Sequence, residues 1–192
     1  MEKVNVYDFD KTILPYDSTE VFFRHCLRRY PRVLFPALGA LPWAAGMPLG
    51  LTSKTRAKEV FYRFLALVPD IDAELTRFWE LHLGDINAWY LARRRGDDIV
   101  SSASPEFLLR PVAGAWASVS SPRAWTGTAA GPWARTATAR KGAPPGEEYP
   151  GLGIAEFYSD SLSDAPLARL AERAFLVKGQ CLSPWPERSL RP

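Results

Sequence analysis

Val4 and Val6 alternate with Asn5 and Tyr7, a period of two that predicts a short strand near the start of the chain. Two carboxylates, Asp8 and Asp10, follow where that strand runs out. From Asp17 onward the period becomes helical. Val21, Phe22, Cys26 and Leu27 share one face behind an Asp17-Ser18-Thr19 cap, and Val60, Phe61, Phe64 and Leu65 share another behind Thr52 or Ser53. Leu75, Phe78, Trp79, Leu83 and Ile86 make a third stripe over 70–90, closing on the arginines Arg93, Arg94 and Arg95, which suit a helix C-terminus. Two further strands are predicted. Ile99-Val100 runs into the hydroxyl-rich Ser101-Ser102-Ala103-Ser104, with a helix opening at Phe107. The run Ile154 to Tyr158 empties into Ser159-Asp160, with Asp164 four residues on, a helix expected over 166–173 and a last strand over 174–177.

The uncharged run from Val33 to Leu51 has the length of a membrane span. It also carries Pro36, Pro42 and Pro48 with Gly39, Gly46 and Gly50, breakers that favour short buried helices joined by turns, though membrane helices tolerate them better. No membrane is expected, and 33–51 is the one candidate segment for one.

Composition narrows the classes. A chain of 192 residues, 47% of them hydrophobic, can bury the core of one domain or of one domain with an insertion. The net charge of +3 is too small and dispersed to argue for nucleic acid. Cys26 and Cys181 stand in no ligand spacing and read as reduced thiols. No signal-peptide pattern opens the sequence, so a cytoplasmic location is expected. His25 and His82 stand alone and are read as structural, and the aromatic stripes as core.

The chemistry lies at the three strand ends. Acids at the carboxyl end of a parallel strand face the crevice where open α/β sheets bind ligands. A divalent cation would hold Asp8 and Asp10 together, since hard cations take carboxylate and carbonyl oxygens. Serine hydroxyls and free amides at a strand-to-helix turn make an anion site. Each feature alone has a plain alternative: an Asp-rich turn for the first, an ordinary helix cap by Ser104 for the second.

In combination, Asp8-Phe9-Asp10-Lys11-Thr12, then Ser102, then Asp160 with Asp164, the chain resembles the haloacid dehalogenase superfamily, and within it the phosphoserine-phosphatase-like branch. The resemblance implies an α/β fold: a Rossmann-like parallel sheet over 1–16 and 96–192, its first strand central, with an inserted α-helical cap over 17–95. It implies a Mg²⁺-dependent phosphomonoester hydrolase acting on a small phosphorylated metabolite. Asp8 would be the nucleophile and Asp10 the acid and base, with Ser102 holding phosphoryl oxygens. Mg²⁺ would lie among Asp8, Asp10, Asp160 and Asp164, and Thr12, Asp17, Ala103 and Ser104 would line the substrate site. Asp17 falls where the branch places a glutamate for a substrate amine. By position, Lys141 would be the phosphate-binding lysine.

Around Lys141 the composition departs from that pattern. The 34 residues 113–146 hold ten Ala, five Gly, four Pro and three Trp, with no Leu, Ile, Phe, Tyr, Asp, Glu, Asn or His. A frame-shifted reading of GC-rich DNA produces this bias. Plausible codons for 114–126, read from the third base, encode RLGVRLLASRVD, a strand with a polar end. The same offset over 133–141 yields GANCHGEE, similar to the branch's stretch before its lysine. The other account is a genuine Ala/Pro-rich linker. On the first account 113–146 is expected to be poorly ordered, and the chain as written to be an impaired or inactive member of the family.

Overall fold

The computed structural model describes residues 2–46, 59–102, 104–105, 107–112 and 152–187. The expectations for Ala103, Lys141 and 113–146 fall outside the described residues. The chain forms two compact units, Met1–Thr19 with Leu81–Pro192, and Glu20–Glu80. The sequence suggests the boundaries 16/17 and 95/96 instead. Residues 81–95 join the sheet-bearing unit through Asn87, whose N–H donates to Ile13 O at 2.9 Å, and Tyr90, packed edge-on to Tyr7.

The five described strands are β1 (Glu2–Asp8), β2 (Ile99–Ser101), β3 (Leu152–Ser159), β4 (Ala171–Lys178) and β5 (Cys181–Pro184). They form one sheet in the order β2-β1-β3-β4-β5, parallel except for the β4–β5 hairpin. This is the expected mixed α/β, Rossmann-like architecture. β1 lies between β2 and β3, so its carboxyl end opens among neighbouring strand ends.

Alternation gives the sheet two different faces. Val4 and Val6 pack with Ile154, Phe157 and a short helix (Ala165–Ala168) on one side. On the other, Tyr7, Tyr158 and Phe175 are register partners across β1, β3 and β4. Tyr7 stacks on Tyr158 with centroids 4.7 Å apart, and Tyr158 on Phe175 at 5.0 Å. Parallel ladders bring equivalent positions side by side, which turns three separate aromatics into one stack.

Several elements differ from the sequence reading. The helix expected over 166–173 is only Ala165–Ala168, and β4 starts at Ala171. There Ala171 pairs with Ile154 and Arg173 with Glu156, and ion pairs Lys3–Glu172 and Arg173–Glu156 hold the charged early half of β4. β5 was not expected. It follows a two-residue turn in which Gly179 takes φ 60, a left-handed position that suits glycine. The third helical stripe is broken into a helix (Ile71–His82), a 3₁₀ turn (Leu83–Asp85) and a short helix (Ala88–Leu91), because Asn87 turns its amide to other partners.

In the helical unit, Glu74 is 2% exposed and accepts hydrogen bonds from Arg29 Nε (3.1 Å), Tyr30 Oη (3.0 Å) and Arg77 Nη1 (3.1 Å), with His25 Nε2 at 2.9 Å. This carboxylate ties the first helix (Ser18–Arg29) to the helix Ile71–His82, alongside the Phe22–Phe78 contact. Beyond a 3₁₀ turn (Pro31–Val33) come two short helices, Leu34–Gly39 and Leu41–Gly46. Among the described residues no helix is long and apolar enough to cross a membrane.

Candidate active site

β1 delivers Asp8, 7% exposed, to its carboxyl end, and a tight turn over Phe9–Ile13 follows. Within it Lys11 takes φ 58, a left-handed conformation that costs a non-glycine residue about 1–2 kcal/mol. Backbone bonds from Lys11 N to Tyr16 O and from Leu14 N to Phe9 O, both 3.0 Å, hold the turn.

Thr12 is fully buried in this turn and joins two strand ends. Its Oγ1 accepts the backbone N–H of Asp160 at 3.0 Å and lies 3.5 Å from Asp8 Oδ2. β3 is the parallel neighbour of β1, with Tyr158 opposite Tyr7, so Asp160 follows directly beyond the level of Asp8. The Thr12 carbonyl accepts from Asn87 Nδ2 at 2.7 Å, and Gln180 Nε2 donates to Asn87 Oδ1 at 2.6 Å.

Asp10 serves a second set of contacts. Its Oδ1 accepts the Ser18 N–H at 2.7 Å, so Asp10 reaches across the turn to hold the start of the first helix. Ser104 donates its hydroxyl to Asp10 Oδ2, and the Ser104 N–H donates to Ser102 Oγ at 3.0 Å. Ser104 Oγ also lies 3.2 Å from Ser18 Oγ and 3.4 Å from Thr19 Oγ1. Burial raises the pKa of Asp10; the bonds from Ser104 and Ser18 oppose that, and the charge of Asp17 adds to it. The half-buried Asp17 therefore lies within electrostatic reach of Asp10.

Asp164 is buried behind this layer. Ser159 Oγ donates to its Oδ2 at 2.7 Å and Ser163 Oγ to its Oδ1 at 3.4 Å, which braces the loop carrying Asp160. The Asp160 carbonyl accepts from Lys178 Nζ at 3.1 Å.

Asp8, Asp10, Thr12, Ser102, Ser104 and Asp160 are thus gathered at the carboxyl ends of β1, β2 and β3. Sequence reasoning missed Asn87 and Lys178, and it reads Ser18 only as part of a helix cap. Asn87 follows Gly84, a helix-stop signal, and Lys178 precedes a Gly-containing turn that marks a hairpin.

The model of the haloacid dehalogenase-like hydrolases matches residues 6–169, most of the chain and every candidate residue named above except Lys178. The chain belongs to this family. No curated protein matches it. A solved phosphoserine phosphohydrolase-like protein from Francisella tularensis subsp. tularensis SCHU S4 is similar at 13% identity, covering 91% of this chain and 86% of that one, with a TM-score of 0.46.

Haloacid dehalogenase-like hydrolases generally use a divalent metal, and the donor set here fits one. The strand ends present only oxygen: carboxylates, hydroxyls and carbonyls, with no thiolate or imidazole among the contacts described. Among the described residues no three His, Cys, Asp or Glu side chains form a metal-holding group. Mg²⁺ is bound by one or two carboxylates with water and substrate phosphate, not by an all-protein cage, so two carboxylates suffice.

Proposed function

We propose that this haloacid dehalogenase-like hydrolase removes phosphate from a small phosphorylated metabolite through an aspartyl-phosphate on Asp8. Its motif spacing supports a place in the phosphoserine-phosphatase-like branch. The supporting observation is the convergence of two acids and the Ser102–Ser104 hydroxyls with Asp160 at three adjacent parallel strand ends, with Thr12 bridging β1 and β3.

An Asp8 carboxylate oxygen attacks phosphorus as the bond to the leaving oxygen breaks. Asp10, whose raised pKa lets it keep a proton more readily, gives that proton to the leaving oxygen. Asp10 then takes a proton from water, whose oxygen attacks phosphorus and releases phosphate from Asp8. Ser102 would hold the phosphoryl oxygens through its hydroxyl. The Asp8 and Asp160 carboxylates and the Asp10 carbonyl would hold Mg²⁺, braced by Asp164; when bound it offsets the repulsion between Asp8 and the phosphate. Asp17, whose charge reaches Asp10, suits an ammonium group on the substrate.

Release of phosphate from an aryl phosphate, with and without Mg²⁺, tests this reading. Turnover that needs Mg²⁺ and Asp8 supports it, and turnover that survives Asp8→Asn ends it. A second reading, a folded member of the family with impaired turnover, is favoured by the anomalous composition around Lys141. It predicts little release from the chain as given and more from a chain with the alternative frame restored over 113–146.

A further inference from the structure

The helices Leu34–Gly39 and Leu41–Gly46 turn apolar residues outward. Val33 is fully buried and Ala40 is 7% exposed, which sets the inner face at helical spacing. The opposite face shows Leu34 at 41%, Phe35 at 72%, Leu38 at 49% and Leu41 at 59% exposed. A soluble surface helix carries charged and polar residues there. This one has none, because no charged residue occurs between Val33 and Leu51.

The charge around the face is one-sided. From Val21 to Lys58 there are seven Arg and Lys and not one Asp or Glu, while the whole chain carries only +3. Arg24 and Arg29 are engaged by Glu20 and Glu74. Arg28 and Arg32, directly before the apolar face, are exposed. A protein partner's docking site would carry polar groups at its rim to fix register. Here an uncharged apolar strip is preceded by the exposed cations Arg28 and Arg32, a pattern found in segments that lie in a membrane interface.

We propose that residues 28–46 dock the helical unit on an anionic lipid surface, with Phe35, Leu38 and Leu41 entering the acyl boundary and Arg28 and Arg32 meeting lipid phosphates. The segment lies on the bilayer and does not span it, since its helices are only six residues each. Such docking would hold the chain where lipid-derived or membrane-proximal phosphoesters are concentrated. The proposal is independent of whether the chain turns substrate over.

Flotation of the full chain with vesicles tests it. The expected result is co-flotation with vesicles of equal parts phosphatidylcholine and phosphatidylglycerol, little with phosphatidylcholine alone, and loss of binding as salt is raised. Phe35→Ser with Leu38→Ser should lower the bound fraction at least about tenfold. Both residues are exposed, so the thermal melt should be unchanged. Arg28→Glu with Arg32→Glu should abolish the preference for the anionic vesicles, and it serves as the second variant should the first fail to fold. Absence of flotation, or equal binding to both vesicle types by wild type, overturns the proposal. So does a homodimer in light scattering that the Phe35→Ser and Leu38→Ser changes dissociate, which would assign the face to a second copy.

Discussion

Asn87 Nδ2 donates to the carbonyl oxygen of Thr12 at 2.7 Å, across 75 residues of sequence. Asn87 is 1% exposed and Thr12 is fully buried, so neither group has solvent as an alternative partner. Asn87→Ala leaves a buried carbonyl unpaired and frees the turn that sets Asp8 and Asp10, at about 1–3 kcal/mol of stability. The variant should denature at lower urea concentration, and turnover should fall by more than the loss of folded protein. Turnover in proportion to folded protein would limit Asn87 to a structural role.

Asp8→Asn removes the nucleophile. Hydrolysis of an aryl phosphate should fall by at least about a thousandfold, as when one member of a catalytic unit is deleted. The circular dichroism spectrum should be unchanged. Near-normal rates would remove Asp8 from the chemistry.

Asp98 supplies a pH signature away from the candidate site. It is 5% exposed, its Oδ2 accepts the Arg95 N–H at 2.6 Å, and its Oδ1 has no partner among the described residues. Burial pushes its pKa up to about 6. An acid with a raised folded pKa favours the fold while protonated, so this contribution is complete below the unfolded value and is lost as pH rises from about 4 to about 6. Asp98→Asn should therefore be more stable than wild type at pH 7, by at most about 3 kcal/mol at 1.36 kcal/mol per unit. Denaturant melts at pH 4 and pH 7 should show the gap between the two chains widening with pH. A constant gap would contradict the assignment.

Glu74→Gln tests the centre of the helical unit. Burial disfavours the Glu74 charge, but hydrogen bonds from His25 and Tyr30 and the charges of Arg29 and Arg77 outweigh it, and its pKa is lowered. That stability is present above the unfolded carboxylate pKa and is lost as pH falls through the folded value. Removing the charge should cost about 1.5–3 kcal/mol near neutral pH, or about 2–4 °C in Tm per kcal/mol for a chain of this size. The difference from wild type should shrink in acid.

The 113–146 stretch calls for a paired measurement. A chain carrying the alternative frame there regains the aliphatic residues that 113–146 lacks, and with them apolar burial of about 0.8 kcal/mol per methylene. It should melt higher and release phosphate faster with Mg²⁺ than the chain as given. A reframed chain that is neither more stable nor more active would establish the stretch as genuine.

Local patterning determined the elements of this protein and where its acids fall along them. Val4 and Val6 alternating with polar neighbours, the hydroxyl run after Val100 and the acids after Tyr158 each need only a few consecutive residues to read, because strand period and strand ends are local properties. Local reading also has its limit: the helix over 166–173 has helical composition, but the ladder from Ile154 to Ala171 claims its second half for β4. Tertiary structure alone decided how the acids are served. Asp10 caps the helix at Ser18 and meets Ser104, Thr12 takes the N–H of Asp160 from 148 residues away, and Asn87 leaves its helix to hold Thr12. Periodicity cannot reveal such pairs. They depend on which strands lie side by side and in what register, and that is set by burying both faces of the sheet together.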